Sequence, residues 1–172
     1  MLTLILGGAR SGKSRLALQR AQATGKPVSF IATAQAHDAE MAERIARHQA
    51  ERPPHWTTVE APLDLAGAIR AAPSGMVIVD CLTLWLTNWL CQPQPGGWPA
   101  ARAALLAALA ARRADDLILV GNETGLGIIP LGELTRRFVD EAGWLNQDLA
   151  RLADEVIFVA AGLPFFLKGN PR

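Results

Sequence analysis

Eight consecutive residues near the start of the sequence match the pattern of a phosphate-binding loop, or P-loop. The segment Gly7-Gly8-Ala9-Arg10-Ser11-Gly12-Lys13-Ser14 has the form G-x-x-x-x-G-K-[ST]. An apolar run at residues 2–6 precedes it and a helical pattern follows it, so a helix N-terminus would point at a bound phosphate. We predict that Lys13 reaches the β- and γ-phosphates of a nucleotide and that the Ser14 hydroxyl binds Mg²⁺. The alternative is an ordinary glycine turn.

Two acidic residues follow apolar runs that we predict to be buried strands. Asp80 ends the run 76–79, and Glu123 comes just after the run 117–120. A nucleotide-bound Mg²⁺ needs a carboxylate in such a position, so Asp80 is the predicted metal ligand beside Ser14. Asp80 could also cap the helix that follows it. Glu123 could bind metal, orient a substrate or cap a turn.

His48 is the histidine whose position supports a catalytic hypothesis. We predict it on a helix over residues 38–52, in one stripe with Met41, Ile45 and Arg52, while the opposite side of the helix is charged. We expect that stripe to face the sheet. The alternative is a buried histidine that is hydrogen-bonded to the backbone.

Three further polar residues lie near this helix, and one of them, Arg52, has more than one possible role. Arg52 could steady a phosphate, pair with Glu60 or be only a cation at a helix end. His37 and His55 lie at the ends of predicted elements, where we expect surface residues. No two histidines have the spacing of metal ligands.

Strand and helix patterns alternate along the chain. This alternation predicts a three-layer α/β fold with a mostly parallel central sheet, in which ligands bind at the carboxyl ends of the strands. We interpret the Gly- and Pro-rich residues 92–97 as a loop within a single domain over residues 1–172, and residues 161–172 as a short tail. The predicted strands are 2–6, 27–32, 56–60, 76–80, 117–120 and 155–160, and the predicted helices are 13–24, 38–52, 62–72, 82–90, 99–113 and 134–153.

Composition narrows the class of protein. The 172 residues carry 17 Lys and Arg against 16 Asp and Glu, which argues against a nucleic-acid-binding protein with a broad basic face. Half of the residues are hydrophobic, which excludes a disordered chain. We expect Cys81 and Cys91 to be small core residues in a reducing compartment. The longest apolar run, 103–111, is about half of a membrane span, so we expect a cytoplasmic protein without one.

The P-loop does not by itself define a reaction. The sequence has no Asn-Lys-x-Asp segment of the kind that switch GTPases use to recognise guanine. Its length favours a kinase of a small molecule. A binding protein gated by nucleotide hydrolysis is the alternative, and its turnover would need no small-molecule acceptor.

Further segments in a characteristic order make the chain resemble one family. It is similar, over nearly its whole length, to the bifunctional adenosylcobinamide kinase / adenosylcobinamide-phosphate guanylyltransferases of cobalamin biosynthesis. The P-loop is generic, whereas the other segments are not. They are Ile31-Ala32-Thr33-Ala34, Asp38-x-Glu40-Met41-x-x-Arg44-Ile45-x-x-His48, Arg52-Pro53-x-x-Trp56, Asp80-Cys81-Leu82-Thr83, Asn88, Asn122-Glu123-x-Gly125-x-Gly127-Ile128-x-Pro130, Arg137-Phe138-x-Asp140-x-x-Gly143-x-x-Asn146-Gln147-x-Leu149-Ala150 and Ala153-Asp154-Glu155-Val156.

The resemblance implies a RecA-like P-loop fold and two reactions. ATP or GTP phosphorylates a hydroxyl on the aminopropanol arm of adenosylcobinamide, and GMP from GTP is then transferred to that phosphate with release of pyrophosphate. The histidine that carries GMP would be His48. The partner molecules would be copies of the same chain, expected as a trimer. Some family members have Glu at the position of Asp80. Implied nucleotide contacts are Gly7, Gly8, Ala9, Arg10, Ser11, Gly12, Lys13, Ser14, Ala32, Thr33, Ala34, Gln49, Ala50, Glu51, Arg52, Glu60 and Asp80.

Overall fold

The computed structural model describes residues 1–36, 38–92, 96–112 and 115–170. Within these ranges strands and helices alternate in the predicted order. The strands are β1 (Leu2–Gly7), β2 (Val28–Ala32), β3 (Thr57–Glu60), β4 (Met76–Asp80), β5 (Asp116–Asn122), β6 (Glu155–Ala160) and β7 (Leu163–Lys168). The helices are α1 (Lys13–Ala23), α2 (Ala39–Ala50), α3 (Leu65–Ala71), α4 (Leu82–Cys91), α5 (Gly97–Ala111) and α6 (Glu133–Leu152).

The strands form one sheet in the order β3-β2-β4-β5-β1-β6-β7. The first six strands are parallel, and β7 is antiparallel to β6. Every residue of β1 and β2 is buried, as expected for strands covered on both faces. The predicted α/β fold with a mostly parallel sheet is therefore confirmed, and the carboxyl ends of six strands lie at one edge.

The two faces of the sheet are covered unequally. Helices α3 to α6 pack on one face, where Trp85 and Trp98 meet edge to face with ring centroids 5.0 Å apart. Helix α1 packs on the other face through Ala17 and Ala21. No residue of α2 is buried. The stripe of α2 is therefore not buried against the sheet as predicted, since Met41 and Ile45 are only half-buried and His48 is exposed.

The predicted C-terminal tail is instead strand β7. Ala161 and Gly162 have φ angles of 52° and 79°, so a two-residue turn reverses the chain between β6 and β7. Pro164 is tolerated because β7 is an edge strand. Alanine is an unusual residue for the first position of such a turn, and this is why the pattern did not indicate a hairpin.

Two smaller predictions also need correction. Helix α3 begins at Leu65 rather than at residue 62, because the Asp64 carboxylate accepts a hydrogen bond from the Gly67 N–H at 2.8 Å and caps it. Cys81 is buried as expected, but Cys91, the last residue of α4, is exposed. Of the predicted surface residues, His55 is exposed, whereas His37 lies outside the described residues. Residues 93–95 of the predicted 92–97 loop and residue 113 at the predicted end of the fifth helix also lie outside them.

Among the described residues, no helix is long and apolar enough to cross a membrane.

Candidate active site

The P-loop connects β1 to α1 at the carboxyl edge of the sheet. Gly7 ends β1, and Gly12, with a φ of 97°, directly precedes Lys13 at the start of α1. Only glycine adopts this φ without strain. The Lys13 side chain is buried, and its Nζ donates a hydrogen bond to the Gly8 carbonyl at 3.1 Å. The loop is therefore already folded around its lysine.

Neighbouring segments hold both ends of the loop. The Gly162 N–H in the β6–β7 turn donates to the Ser11 carbonyl at 2.9 Å, and the Glu123 N–H donates to the Gly7 carbonyl at 3.1 Å. Next to these bonds, the Ser11 Oγ and Asn122 Oδ1 atoms are buried and have no hydrogen-bond partner in the described part of the chain. Unpaired buried polar atoms beside a phosphate-binding loop indicate that a polar ligand belongs there.

Strand register brings predicted residues from distant parts of the chain together. Ala32 pairs with Glu60 of β3 on one side and with Asp80 of β4 on the other. In β5, Val120 pairs with Asp80, and two residues further along the strand Asn122 pairs with Gly7. The predicted residues at strand ends therefore line one edge.

Asp80 is surrounded by positive charge. Burial raises the pKa of its carboxyl group, while a hydrogen bond from Ser14 and the charges of His48, Lys13 and Arg52 oppose that rise. Burial likewise lowers the pKa of Lys13, and the carboxylate of Asp80 is the main opposing influence. The suggestion that Asp80 caps the following helix is wrong. The N-cap of α4 is Cys81, whose Sγ accepts from the Leu84 N–H at 3.5 Å.

The oxygen atoms of Ser14 and Asp80 suit a nucleotide-bound Mg²⁺. Mg²⁺ prefers oxygen ligands and is held by one or two carboxylates together with substrate phosphates and water. The described residues contain no group of three or more His, Cys, Asp and Glu side chains that could bind a metal by themselves. Such a weak protein site fits an ion that arrives with its nucleotide.

Thr33 and Asn88 fix the backbone next to Asp80. The Thr33 Oγ1 donates to the Cys81 carbonyl at 2.7 Å and accepts from the Cys81 N–H at 2.9 Å. The Asn88 side chain donates to the carbonyls of Thr33 and Pro62 at 2.9 and 3.0 Å. Burial raises the pKa of the Cys81 thiol to about 11, so this cysteine remains a neutral thiol at pH 7.

His48 lies in water near the end of α2. Its side chain is 55% exposed, and its Nδ1 is 3.5 Å from the Glu51 Oε2. The buried, backbone-bonded alternative for this histidine is therefore wrong. The last residues of the helix, Gln49 and Ala50, and its C-cap Glu51 are exposed as well.

Arg52 lies beyond the end of α2 and stacks on the sheet. Its guanidinium carbon is 3.7 Å from the centroid of the Phe30 ring, and its Nη1 is 3.5 Å from the Thr58 Oγ1. No ion pair joins Arg52 to Glu60 among the described residues, so that suggested pairing is not formed. The Arg52 Nε is buried and unpaired within the described ranges.

The remaining predicted residues border this centre. Ala9 and Arg10 are exposed at the tip of the P-loop, and Ala34 is half-buried after β2. The Glu123 carboxylate accepts the Gly125 N–H at 2.6 Å and so forms a turn, which was one of its three suggested roles.

Sequence reasoning missed several residues that support these groups. Phe30 and Thr58 hold Arg52, while Gly162 and Asn122 border the P-loop. Neither phenylalanine nor threonine in a strand carries a local signal of such a role. Asn122 follows a buried apolar run at the same sheet edge, and that position was a usable signal.

Solved structures share this fold at low sequence identity. The RadB recombinase aligns with a TM-score of 0.52 and 20% identity, covering 91% of this chain and 73% of that one. A type III secretion system ATPase of pathogenic bacteria aligns with a TM-score of 0.56 and 11% identity, covering 96% and 56%. The predicted RecA-like P-loop fold is thereby confirmed.

Sequence relatives are much closer. The bifunctional adenosylcobalamin biosynthesis protein CobP of Pseudomonas aeruginosa is 57% identical over 173 residues, covering 99% of each chain. The corresponding protein CobU of Salmonella typhimurium is 39% identical over 182 residues, covering 98% of this chain and all of that one. The sequence model described as cobinamide kinase / cobinamide phosphate guanyltransferase matches residues 3–167. This chain belongs to the cobinamide kinase / cobinamide phosphate guanyltransferase family.

Proposed function

We propose that the chain phosphorylates cobinamide, in its adenosylated form, with ATP or GTP and then transfers GMP from GTP to the new phosphate. The observation that supports this most directly is the buried Lys13 in a folded P-loop that faces Ser14 and Asp80, within a chain that matches its family from end to end. We also propose that residues 1–172 act as one nucleotide-binding domain.

In the phosphorylation step the P-loop would bind the triphosphate. Backbone N–H groups of residues 7–14 donate to the phosphate oxygens, and Lys13 neutralises charge on the transferred phosphoryl group. Mg²⁺, held by Ser14, Asp80 and the phosphates, would supply further charge neutralisation there. The substrate hydroxyl oxygen attacks the γ-phosphorus, the bond to the leaving nucleoside diphosphate breaks, and the hydroxyl proton passes to solvent.

In the second step we propose that His48 carries GMP. The contact of its Nδ1 with Glu51 supports a tautomer in which Nδ1 bears the proton, so Nε2 has the free electron pair. Nε2 attacks the α-phosphorus of GTP, and the bond to pyrophosphate breaks. A phosphate oxygen of cobinamide phosphate then attacks the same phosphorus, and the N–P bond breaks to regenerate the imidazole.

We propose nucleotide-contact roles for the residues around these two centres. The exposed carboxylate of Glu60 and the exposed end of α2 at Gln49, Ala50 and Glu51 would meet the nucleoside, and Arg52 would meet phosphate. Ala32 and Ala34 would contact the nucleotide from β2. Because every polar atom of Thr33 is engaged within the protein, we propose that Thr33 positions these neighbours.

The test is the covalent adduct on His48. The native protein with GTP and Mg²⁺ should gain the mass of one GMP, with label retained from α-labelled but not γ-labelled GTP. The adduct should be lost in acid and survive base, as expected for a nitrogen–phosphorus bond. His48→Ala and His48→Asn should lose the adduct and the second activity but keep phosphorylation, and Lys13→Ala should lose phosphorylation.

Stability is the control in this experiment. Because His48 is exposed, both His48 variants should unfold within about 0.5 kcal/mol of the native protein. If either variant still produces the GDP-linked corrinoid at a near-native rate, His48 is not the nucleophile. Turnover of nucleotide that is equal with and without cobinamide would argue instead for a nucleotide-gated binding protein.

We further propose that the chain works in the cytoplasm as a homo-oligomer, expected as a trimer. Exposed apolar side chains such as Trp144 support self-association, since monomers seldom leave large apolar surfaces in water. Sedimentation velocity at several concentrations tests this proposal.

A further inference from the structure

The loop between β5 and α6 exposes a dense group of apolar side chains. Leu126, Ile128, Ile129 and Leu131 are between 78% and 97% exposed, and residues 124–132 contain no charged side chain. A contiguous apolar patch on a protein surface commonly marks a binding site. We call residues 126–131 the apolar loop.

The backbone on both sides of the apolar loop is held in place. The Glu123 carboxylate accepts the Gly125 N–H before it, and the Arg136 guanidinium donates to the Pro130 carbonyl at 3.2 Å and to the Leu131 carbonyl at its end. The apolar side chains are thus presented to solvent by an anchored loop. An anchored apolar surface loses less conformational freedom when a ligand covers it.

The apolar loop begins at the phosphate site. Strand β5, which leads into it, lies between β4 with Asp80 and β1 with the P-loop. The Glu123 N–H, at the start of the connection, is bonded to the Gly7 carbonyl at 3.1 Å. Leu126 comes only three residues after Glu123, so the near end of the apolar loop lies within about 10 Å of Glu123 along the chain.

We propose that the apolar loop binds the corrin ring of cobinamide and directs its hydroxyl arm to the P-loop. This inference rests on the proposed function. The acceptor is a large macrocycle whose ring carries methyl groups among carboxamide side chains, and its reacting hydroxyl is on a short arm, so the ring must lie within the length of that arm from the transferred phosphoryl group. The uncharged, aliphatic character of the apolar loop and its start three residues after Glu123, which is bonded to Gly7, support this placement.

The test removes the two most exposed side chains, with a matched control elsewhere. Ile128→Ser with Leu131→Ser should weaken cobinamide binding at least tenfold in equilibrium dialysis and raise the KM for cobinamide by a similar factor. The affinity for GTP should stay within twofold. The control, Phe165→Ser with Leu167→Ser, removes exposed apolar side chains from β7 and should leave cobinamide binding unchanged.

Three results would overturn the inference. The first is an unchanged cobinamide affinity in the apolar-loop variant, and the second is an equal loss in the control. The third is a loss of affinity that accompanies a lower oligomer mass in sedimentation velocity, because the apolar loop would then contact a second copy of the chain. Failure of the native protein to phosphorylate cobinamide would overturn the proposed function instead, and dialysis would still decide whether the apolar loop binds the ring.

Discussion

Asp80 is the residue around which the charges of the site are arranged. Ser14 donates a hydrogen bond to it, and Lys13 and Arg52 contribute positive charge around it. These groups come from three separate parts of the chain. Their attraction to the carboxylate offsets part of the cost of burying it, and a bound cation would offset more of that cost.

The raised pKa of Asp80 predicts that its carboxylate, although needed for activity, lowers the stability of the nucleotide-free protein. A folded-state pKa above the unfolded value means that this group favours folding at low pH and loses that contribution as pH rises through its folded pKa. Asp80→Asn should therefore stabilise the nucleotide-free protein at pH 8 by up to about 1 kcal/mol, with a smaller gain at pH 5. Urea unfolding at the two pH values measures this difference.

The same variant should lose its response to nucleotide. Without the Asp80 carboxylate, Mg²⁺ and GTP should raise the melting temperature less than in the native protein, because ligand binding stabilises in proportion to affinity. A variant that is less stable than the native protein at pH 8 would contradict the raised pKa of Asp80. A variant that keeps the full nucleotide response would contradict the role of Asp80 as a metal ligand.

At the scale of elements, α2 is a helix without a buried residue. The Asp38 Oδ1 accepts the Met41 N–H at 2.7 Å and caps its N-terminus, and Arg44 pairs with Glu40 on its surface. Local interactions of this kind stabilise a helix by only about 0.3 to 1 kcal/mol each. Helix α2 should therefore open more easily than the helices packed on the sheet.

Removing two matched caps tests this difference. Asp38→Ala should cost about 1 kcal/mol within α2, so its amides should exchange hydrogen about fivefold faster, while the global unfolding midpoint stays unchanged. Asp64→Ala removes the same kind of cap from α3, whose Leu65 and Ile69 are fully buried, and should lower global stability by about 1 kcal/mol. Equal global losses in both variants would show that α2 unfolds together with the core.

The connection from β4 into α4 depends on buried polar side chains. Thr33 and Asn88 join the end of β2 to the start of α4 and hold the backbone at Cys81. Hydrogen bonds of this kind stabilise modestly when made, but each costs roughly 1–3 kcal/mol when a buried partner is left unpaired. This explains why polar residues occupy the centre of an otherwise apolar contact.

At the scale of the whole molecule, most of the packing energy lies on one face of the sheet. The larger core contains the buried residues of α3 to α6, whereas α1 contributes mainly two alanines to the other face. The nucleotide site lies at the sheet edge rather than in either core. The residues that stabilise the fold and the residues of the proposed nucleotide site are therefore largely different.

A pair of alanine substitutions should reveal that separation. Leu149→Ala, at a fully buried position of α6, should destabilise the protein by about 2–5 kcal/mol, because it leaves a cavity in the larger core. Ile45→Ala on α2 should cost less than about 1 kcal/mol, since that helix contributes no buried residue. Chemical denaturation of both variants gives the comparison, and similar losses would contradict it.

The sequence alone determined the order and type of most elements and the position of the P-loop between β1 and α1. Apolar runs such as residues 76–79 can only be satisfied inside a covered parallel sheet, and the P-loop pattern encodes its own turn through Gly12. Asp38 at the start of the predicted helix 38–52 caps that helix, because capping depends on residues adjacent in sequence. Local interactions of this kind can be inferred without tertiary structure.

Only the tertiary structure decided which surfaces are covered. The stripe containing His48 has the spacing of a buried helix face, yet whether a face is buried depends on which elements compete for the sheet, and α2 packs no residue into either core. The partners of Arg52, the β7 hairpin and the exposure of the apolar loop depend in the same way on contacts between residues far apart in sequence. Periodicity indicates which side chains could share a buried face, and packing determines which of those faces are actually buried.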